Sequence, residues 1–316
     1  MSEDLHDPES GVPNPFFPFW MAMDWNSVVN GILAEENMYE FTQGETVLFR
    51  TVGASVEPTV RLHWQNETGP DFWLVAEDGL PVPSLEPSSI VEIPSGSRSE
   101  IVVKFDTPGT FQLRGQPWNL GITGVEMCNA TVGIAAPKCI SYDHDRLIAT
   151  VTVLPSDPPI ESRLPTTVPE YSQVYKDMEE QEVVYTRTIT FKQRMGFPLF
   201  QIPYDGPFIH PGTGFGIDGL LSTPHHRHGE VVAGTCEEWI LISDPPMAEH
   251  SIHFHTVPFL VTHEDGVAVE EPFWRDTYAV MRHNATVKIC FNRLEPGEWV
   301  FIHCHMVTHM DVGVSD

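Results

Sequence analysis

Short runs of β-branched and aromatic residues recur along the chain between clusters of Gly, Pro, Asn and Asp, as in Thr46 to Val52, Ile101 to Phe105, Leu147 to Leu154 and Val183 to Phe191. Such spacing leaves no room for long helices and suits strands that alternate faces every residue. Helical periodicity is weak throughout, so the chain reads as all-β. One stretch breaks the pattern: LPSDPPIESRLPTTVPEY, from Leu154 to Tyr171, holds five prolines and little apolar periodicity, which marks a linker. About 130 residues lie on either side, a fitting size for a β-sandwich. The expected organisation is a leading strap over residues 1–24, a first sandwich over 25–155, a Pro-rich linker over 156–180 and a second sandwich over 181–316.

Charge narrows the partners. Lys and Arg total 17 against 44 Asp and Glu, a formal net charge of −27 over 316 residues. That field repels phosphate backbones and anionic headgroups, so no nucleic-acid partner is expected. No apolar run approaches the roughly 20 residues needed to span a bilayer; Phe16 to Met23 is short and contains Pro18. No membrane partner is expected either. The N-terminal MSEDLHDPES is acidic and carries no signal peptide pattern.

Five cysteines carry further information. Cys128 and Cys139 are close in sequence, while Cys236 and Cys290 sit in two apparent strands of the later segment, leaving Cys304 over. Two disulfides and one reserved thiol suit an oxidising compartment; five reduced thiols are the alternative. Acceptor triplets at Asn66, Asn129 and Asn284 add only slight support for a secretory route.

Histidine is distributed unevenly: 12 of 15 fall between His210 and His309. Two segments matter, His250-Ser251-Ile252-His253-Phe254-His255 and His303-Cys304-His305-Met306-Val307-Thr308-His309. Both read as strands, in which alternate side chains leave from opposite faces. His303 and His305 then share one face and Cys304 takes the other; His253 and His255 share a face and His250 opposes them. Side by side, such strands gather four imidazoles on one face and His250 with Cys304 on the other, His309 returning from the following turn. Two imidazoles and a thiolate form the trigonal environment of a blue-copper centre, and four imidazoles suit two or more nitrogen-bound metals. A lone histidine triplet is more often a zinc site or a hydrogen-bonded pair. Zinc, however, expects about four ligands in one shell, whereas seven here divide into three and four. The run from His225 to His228, flanked by Pro224 and Gly229, reads as a solvated loop.

With these residues in place, the second half resembles the C-terminal cupredoxin domain of multicopper oxidases, the group that includes laccases and copper-efflux oxidases. The resemblance is carried by GIDG at Gly216, EEWIL at Glu237, HSIHFH, FWRDTY at Phe273 and HCHMVTHMDVGV from His303. It implies type 1 copper on His250, Cys304 and His309, type 2 copper on His253, and type 3 copper on His255, His303 and His305. Val314 would occupy the axial position, where many members have Met, so that the type 1 potential is raised. Asp276 is either an acceptor that orients a copper ligand or a turn carboxylate. The first half is similar to the family's metal-free middle domain, through VNGILAEENMYEFTQGETVLFR, AEDGLPVP and IPSGSRSEIVVKFDTPG. His63 in LHWQ has Gln65 where a second copper-binding histidine would stand.

The resemblance implies two cupredoxin-like Greek-key sandwiches and an oxidoreductase. Single electrons from a phenolic, aromatic-amine or metal-ion donor would pass through Cys304, His303 and His305 to a cluster reducing dioxygen to water. In the family that cluster takes four more histidines from a first domain, and no matching pair precedes the linker. Another chain or a further N-terminal domain is therefore expected to supply them, and a secreted or periplasmic location is expected. The rival expectations are a blue-copper electron carrier with only the type 1 site filled, and a structural module without catalysis.

Overall fold

The structure, a computed structural model, describes residues 28–54, 59–117, 145–195, 213–218, 229–244, 249–280 and 284–306. The leading strap, Cys128, Cys139, the run from His225 to His228, His309 and Val314 lie outside the described residues.

The first half contains β1 (Val28–Val29), β2 (Ile32–Leu33), β3 (Met38–Thr42), β4 (Glu45–Val52), β5 (Val60–Trp64), β6 (Phe72–Glu77), β7 (Leu80–Pro81), β8 (Pro87–Ser88), β9 (Ile90–Ile93), β10 (Arg98–Phe105), β11 (Gly109–Pro117) and β12 (Arg146–Leu154). Beyond the β1-β2 hairpin, two sheets form, β4-β10-β6-β7 with β8 joined to β6, and β3-β12-β11-β5-β9. The chain passes back and forth between them, as in a Greek-key sandwich. The inward residues of both sheets fill one core, in which Trp64 stacks on Phe72 at 5.4 Å and Phe105 on Phe41 at 4.8 Å between centroids.

The second half contains β13 (Val183–Met195), β14 (Thr213–Ile217), β15 (Cys236–Asp244), β16 (His250–Phe254), β17 (Phe259–Glu264), β18 (Val267–Arg275), β19 (Thr277–Val280), β20 (Asn284–Cys290) and β21 (Ile302–Cys304). A six-stranded sheet, β14-β13-β15-β20-β17-β18, covers a three-stranded one, β19-β16-β21. Phe191, Leu241, Phe254, Phe259, Val287 and Phe291, all fully buried, lie between them. Cys236 and Cys290 stand opposite each other on β15 and β20 and form a disulfide, the later of the two pairs suggested by spacing.

The proline-rich stretch is less of a free tether than its composition implies. Ile160 donates its backbone N–H to Gln43 at 2.8 Å, and Ser162 bonds Gly44 and Thr46, so the segment lies along the first sandwich. Its last residues form α1 (Gln173–Glu180), although helical signals are weak. Tyr175 and Met178, three apart on one helical face, pack beside buried Trp274 and the disulfide. The Lys288 ammonium donates to the carbonyls of Glu179 at 2.7 Å and Gln181 at 2.5 Å, satisfying the helix C-terminus. Tertiary packing thus outweighs propensity here.

The two halves are joined by buried polar contacts. Glu249 accepts from the backbone N–H of Thr59 at 2.7 Å and from its hydroxyl, and Arg275 pairs with Glu77. Asp78 accepts from the backbone N–H groups of Asp276 at 3.2 Å and Thr277 at 3.0 Å. No described helix is long and apolar enough to cross a membrane.

Candidate metal centre

Strand pairing builds the centre. β16 lies between β19 and β21, with His253 opposite His303 and Ile252 opposite Cys304. Directly opposed residues share a face, so the parity expected from sequence is realised: His253 and His303 on one side, Ile252 and Cys304 on the other. His250, two residues from Ile252, shares the Cys304 face. Both are fully buried, and the His250 ring lies 5.9 Å from that of Phe191. The thiol-bearing face is thus the core of the second sandwich.

The opposite face gathers the imidazoles. Ligand nitrogens of His253, His255 and His303 all lie within 4.8 Å of one another, and the Nε2 atoms of His255 and His303 are 3.1 Å apart. The His305 ring completes the group, 5.7 Å from that of His253 and 5.3 Å from that of His303 between centroids. Phe301 walls the cluster at 5.2 Å from both His255 and His303.

Second partners fix which nitrogen each ring presents. His253 Nδ1 is 2.9 Å from the Asp276 carbonyl and 2.9 Å from Thr277 Oγ1; His303 Nδ1 is 3.0 Å from the Cys304 carbonyl. A carbonyl only accepts, so each Nδ1 carries the proton and each Nε2 lone pair faces the cluster. Burial pushes the His303 imidazole down to about 4 and also lowers His255, where the nearby His253 and His305 add repulsion. Neutral imidazoles are the form that ligates a metal. A cluster of imidazole nitrogen donors with a buried thiol on the reverse face of the same strand fits copper, which takes imidazole and thiolate readily.

Asp276 sits where the sequence left two readings. Burial opposes its charge, but hydrogen bonds from Arg98, His253 and Thr277 prevail and hold the carboxyl well below the usual range. Arg98 grips it through Nη1 at 2.7 Å and Nη2 at 2.6 Å. Arg98 and its companion Asp78 come from the first half and were not singled out by spacing. They lie in the SGSRSE and AEDG segments, whose role depends on a contact between halves. A cavity of about 510 Å³ opens beside His253 and His255, lined also by Asp78, Arg98, Tyr175 and Asp276.

Residues 210–315 match the multicopper oxidase family model. This segment is similar to a multicopper oxidase domain. Solved multicopper oxidases share the fold of nearly the whole chain. A laccase-like multicopper oxidase of Ochrobactrum sp. is 18% identical with a TM-score of 0.66 over 92% of this chain and 58% of its own. One from Campylobacter jejuni is 16% identical, TM-score 0.67, over 94% and 57%. McoA from Aquifex aeolicus is 16% identical, TM-score 0.66, over 98% and 62%. The chain spans less than two thirds of the length of these multicopper oxidases. No curated protein sequence matches it.

Proposed function

We propose that this chain is the copper-bearing C-terminal part of a multicopper oxidase, oxidising a small donor one electron at a time with dioxygen as acceptor. The observation that carries this is the face partition on β16 and β21: three imidazoles lie within reach of one metal cluster, and Cys304 points from the same strand into the core. His250, Cys304 and His309 would hold the type 1 copper, His253 the type 2 copper, and His255, His303 and His305 the type 3 pair. Copper held there supplies the one-electron chemistry between donor and dioxygen.

The chain's own residues do the arranging. Cys304 is bonded through its peptide groups to both His303 and His305, so the two sites are linked by a short covalent path. The Asp276 carbonyl and Thr277 hydroxyl orient His253, and the Cys304 carbonyl orients His303. The cavity beside His253 and His255 gives dioxygen a way in. The four further histidines of a complete cluster come from another chain or a further domain. The domain limits follow the sandwiches and the proline-rich segment between them. The disulfide favours a secreted or periplasmic setting. The donor class spans aromatic compounds and metal ions, in line with the Ochrobactrum enzyme's action on lignin model compounds and the Campylobacter protein's being a metallo-oxidase.

A second reading, a blue-copper electron carrier, is favoured by the first half, whose His63 pairs with Asp145. Copper content per chain, visible and paramagnetic spectra and oxygen consumption of copper-loaded protein, with Cys304→Ser as control, decide between them. More than one copper, a thiolate-to-copper band lost in the variant, and oxygen uptake once the missing histidines are supplied are expected. One copper with no oxygen uptake under any pairing would leave the carrier, and no copper would overturn both.

A further inference from the structure

The first half binds none of the proposed copper, yet one of its turns reaches the imidazole face. Pro94 to Arg98 forms a tight turn closed by Ser97 N–H to the Pro94 carbonyl at 3.0 Å. It is braced against Gly53, which donates its N–H to the Ser97 carbonyl at 2.9 Å and accepts from Gly96 N–H at 2.7 Å. A Cβ on Gly53 would collide with the Pro94 carbonyl, so the two backbones are in direct contact.

At its apex Gly96 has φ +86°, and a Cβ there would lie 2.8 Å from Nδ1 of His305 and closer still to its Cγ and Cδ2. Real side chains do not approach so closely; the His305 ring therefore rests on bare backbone. The contact is pinned on both sides. Ser95 Oγ donates to the His305 carbonyl at 3.2 Å, and Ser251 Oγ donates to the Ser95 carbonyl at 2.5 Å. The N–H of His305 in turn bonds the Ser251 carbonyl at 2.6 Å. The same turn ends in Arg98, which holds Asp276, whose carbonyl orients His253.

We propose that the Ser95-Gly96 turn is a positioning element of the metal centre, with Gly96 setting how far the His305 imidazole can stand from the other three. Gly96 is glycine because the ring occupies the space of a Cβ, and not only because its backbone is left-handed. This rests on the copper reading above.

The test compares Gly96→Ala with Gly266→Ala in the full chain. Gly266 also has positive φ, +75°, but open space around it, so it shares the backbone strain without the collision. With Cu(II) as probe, Gly96→Ala is expected to weaken the copper held by the imidazole face about tenfold. Its paramagnetic spectrum should change while the thiolate-to-copper band stays; Gly266→Ala should alter neither. Equal copper binding in Gly96→Ala and wild type overturns the proposal, as does equal loss in both variants. Should Gly96→Ala fail to fold, Ser251→Ala adds no bulk, and the same selective weakening is expected of it; unchanged loading then overturns the proposal. If wild type binds no copper on this face, the copper reading fails by itself. The imidazole resonances of metal-free protein then decide positioning, since His305 alone should shift in Gly96→Ala and its staying unmoved overturns it.

Discussion

The two halves share a seven-strand plan, and the contrast that matters for the metal centre lies on two paired strands. In the first, β4-β10-β6-β7 faces β9-β5-β11; in the second, β15-β20-β17-β18 faces β19-β16-β21. The hairpin turn repeats as well, Asp78-Gly79 after β6 and Asp265-Gly266 after β17, all four residues at positive φ. The registers then put Val60 in the place of His250, Leu62 of Ile252, His63 of His253 and Trp64 of Phe254. On the neighbouring strand Leu113 stands for Ile302, Arg114 for His303 and Gly115 for Cys304. Large apolar positions remain apolar, while three of the four potential ligands are replaced and only the His253 position keeps a histidine, His63. On the first half's equivalent of the imidazole face, His63 and Arg114 bind Asp145 at 3.0 and 2.8 Å. The sandwich therefore does not require the metal, and the chemistry is a set of side chains placed on a scaffold that stands without it.

The largest expected effect comes from giving the second half its counterpart's residues. Cys304→Gly with His250→Val removes two of the three proposed type 1 ligands, and the thiolate-to-copper band should vanish while circular dichroism keeps its β signature. A surviving band would break the comparison. Phe254→Ala and Trp64→Ala sharpen it, since both residues are buried at equivalent positions. Each should cost about 3–5 kcal/mol in calorimetric unfolding. Only Phe254→Ala, between two imidazoles in sequence, should also weaken copper binding; a like effect of Trp64→Ala would mean that the halves are not functionally separate.

Much of the second half was legible in the sequence because a strand's period of two is rigid. Once HSIHFH and HCH are strands, parity alone divides His250 and Cys304 from the other histidines, and the pairing of His253 with His303 realises that division. What parity does not carry is which elements meet. In the sequence Arg98 is one of 17 Lys and Arg residues and Gly96 one of 23 glycines. Their significance lies in contacts with Asp276 and His305, nearly 180 and more than 200 residues away in sequence. The helix Gln173–Glu180 was hidden for a related reason: its stability comes from Trp274 and Lys288, not from its own residues. The halves' shared plan was also faint, since it lives in strand order and not in sequence.

A smaller contrast concerns pH. His303 is held near 4 by burial, below the ordinary 6.5, and its counterpart in the first half is Arg114. As pH falls below about 6.5 the unfolded chain takes up the proton first, so metal-free protein should lose stability between about 6.5 and 4 and level off below. The full loss amounts to roughly 3 kcal/mol for this one group. His303→Phe should flatten that part of the profile, measured by denaturant unfolding across pH. An unchanged slope would show that His303 is not the group responsible.

The smallest effect is the most exacting for the comparison. Asp145 is 41% exposed at its side chain and holds His63 and Arg114, the residues standing where His253 and His303 stand in the other half. Surface ion pairs contribute little, so Asp145→Asn should cost less than about 1 kcal/mol. Copper stoichiometry and spectra should be unchanged, because the released His63 is a single imidazole beside a permanent cation, which repels a metal ion. An additional or tighter copper site in Asp145→Asn would mean that the carboxylate masks a metal face. The first half would then be a suppressed copper domain and not a scaffold that serves the second through its Ser95-Gly96 turn.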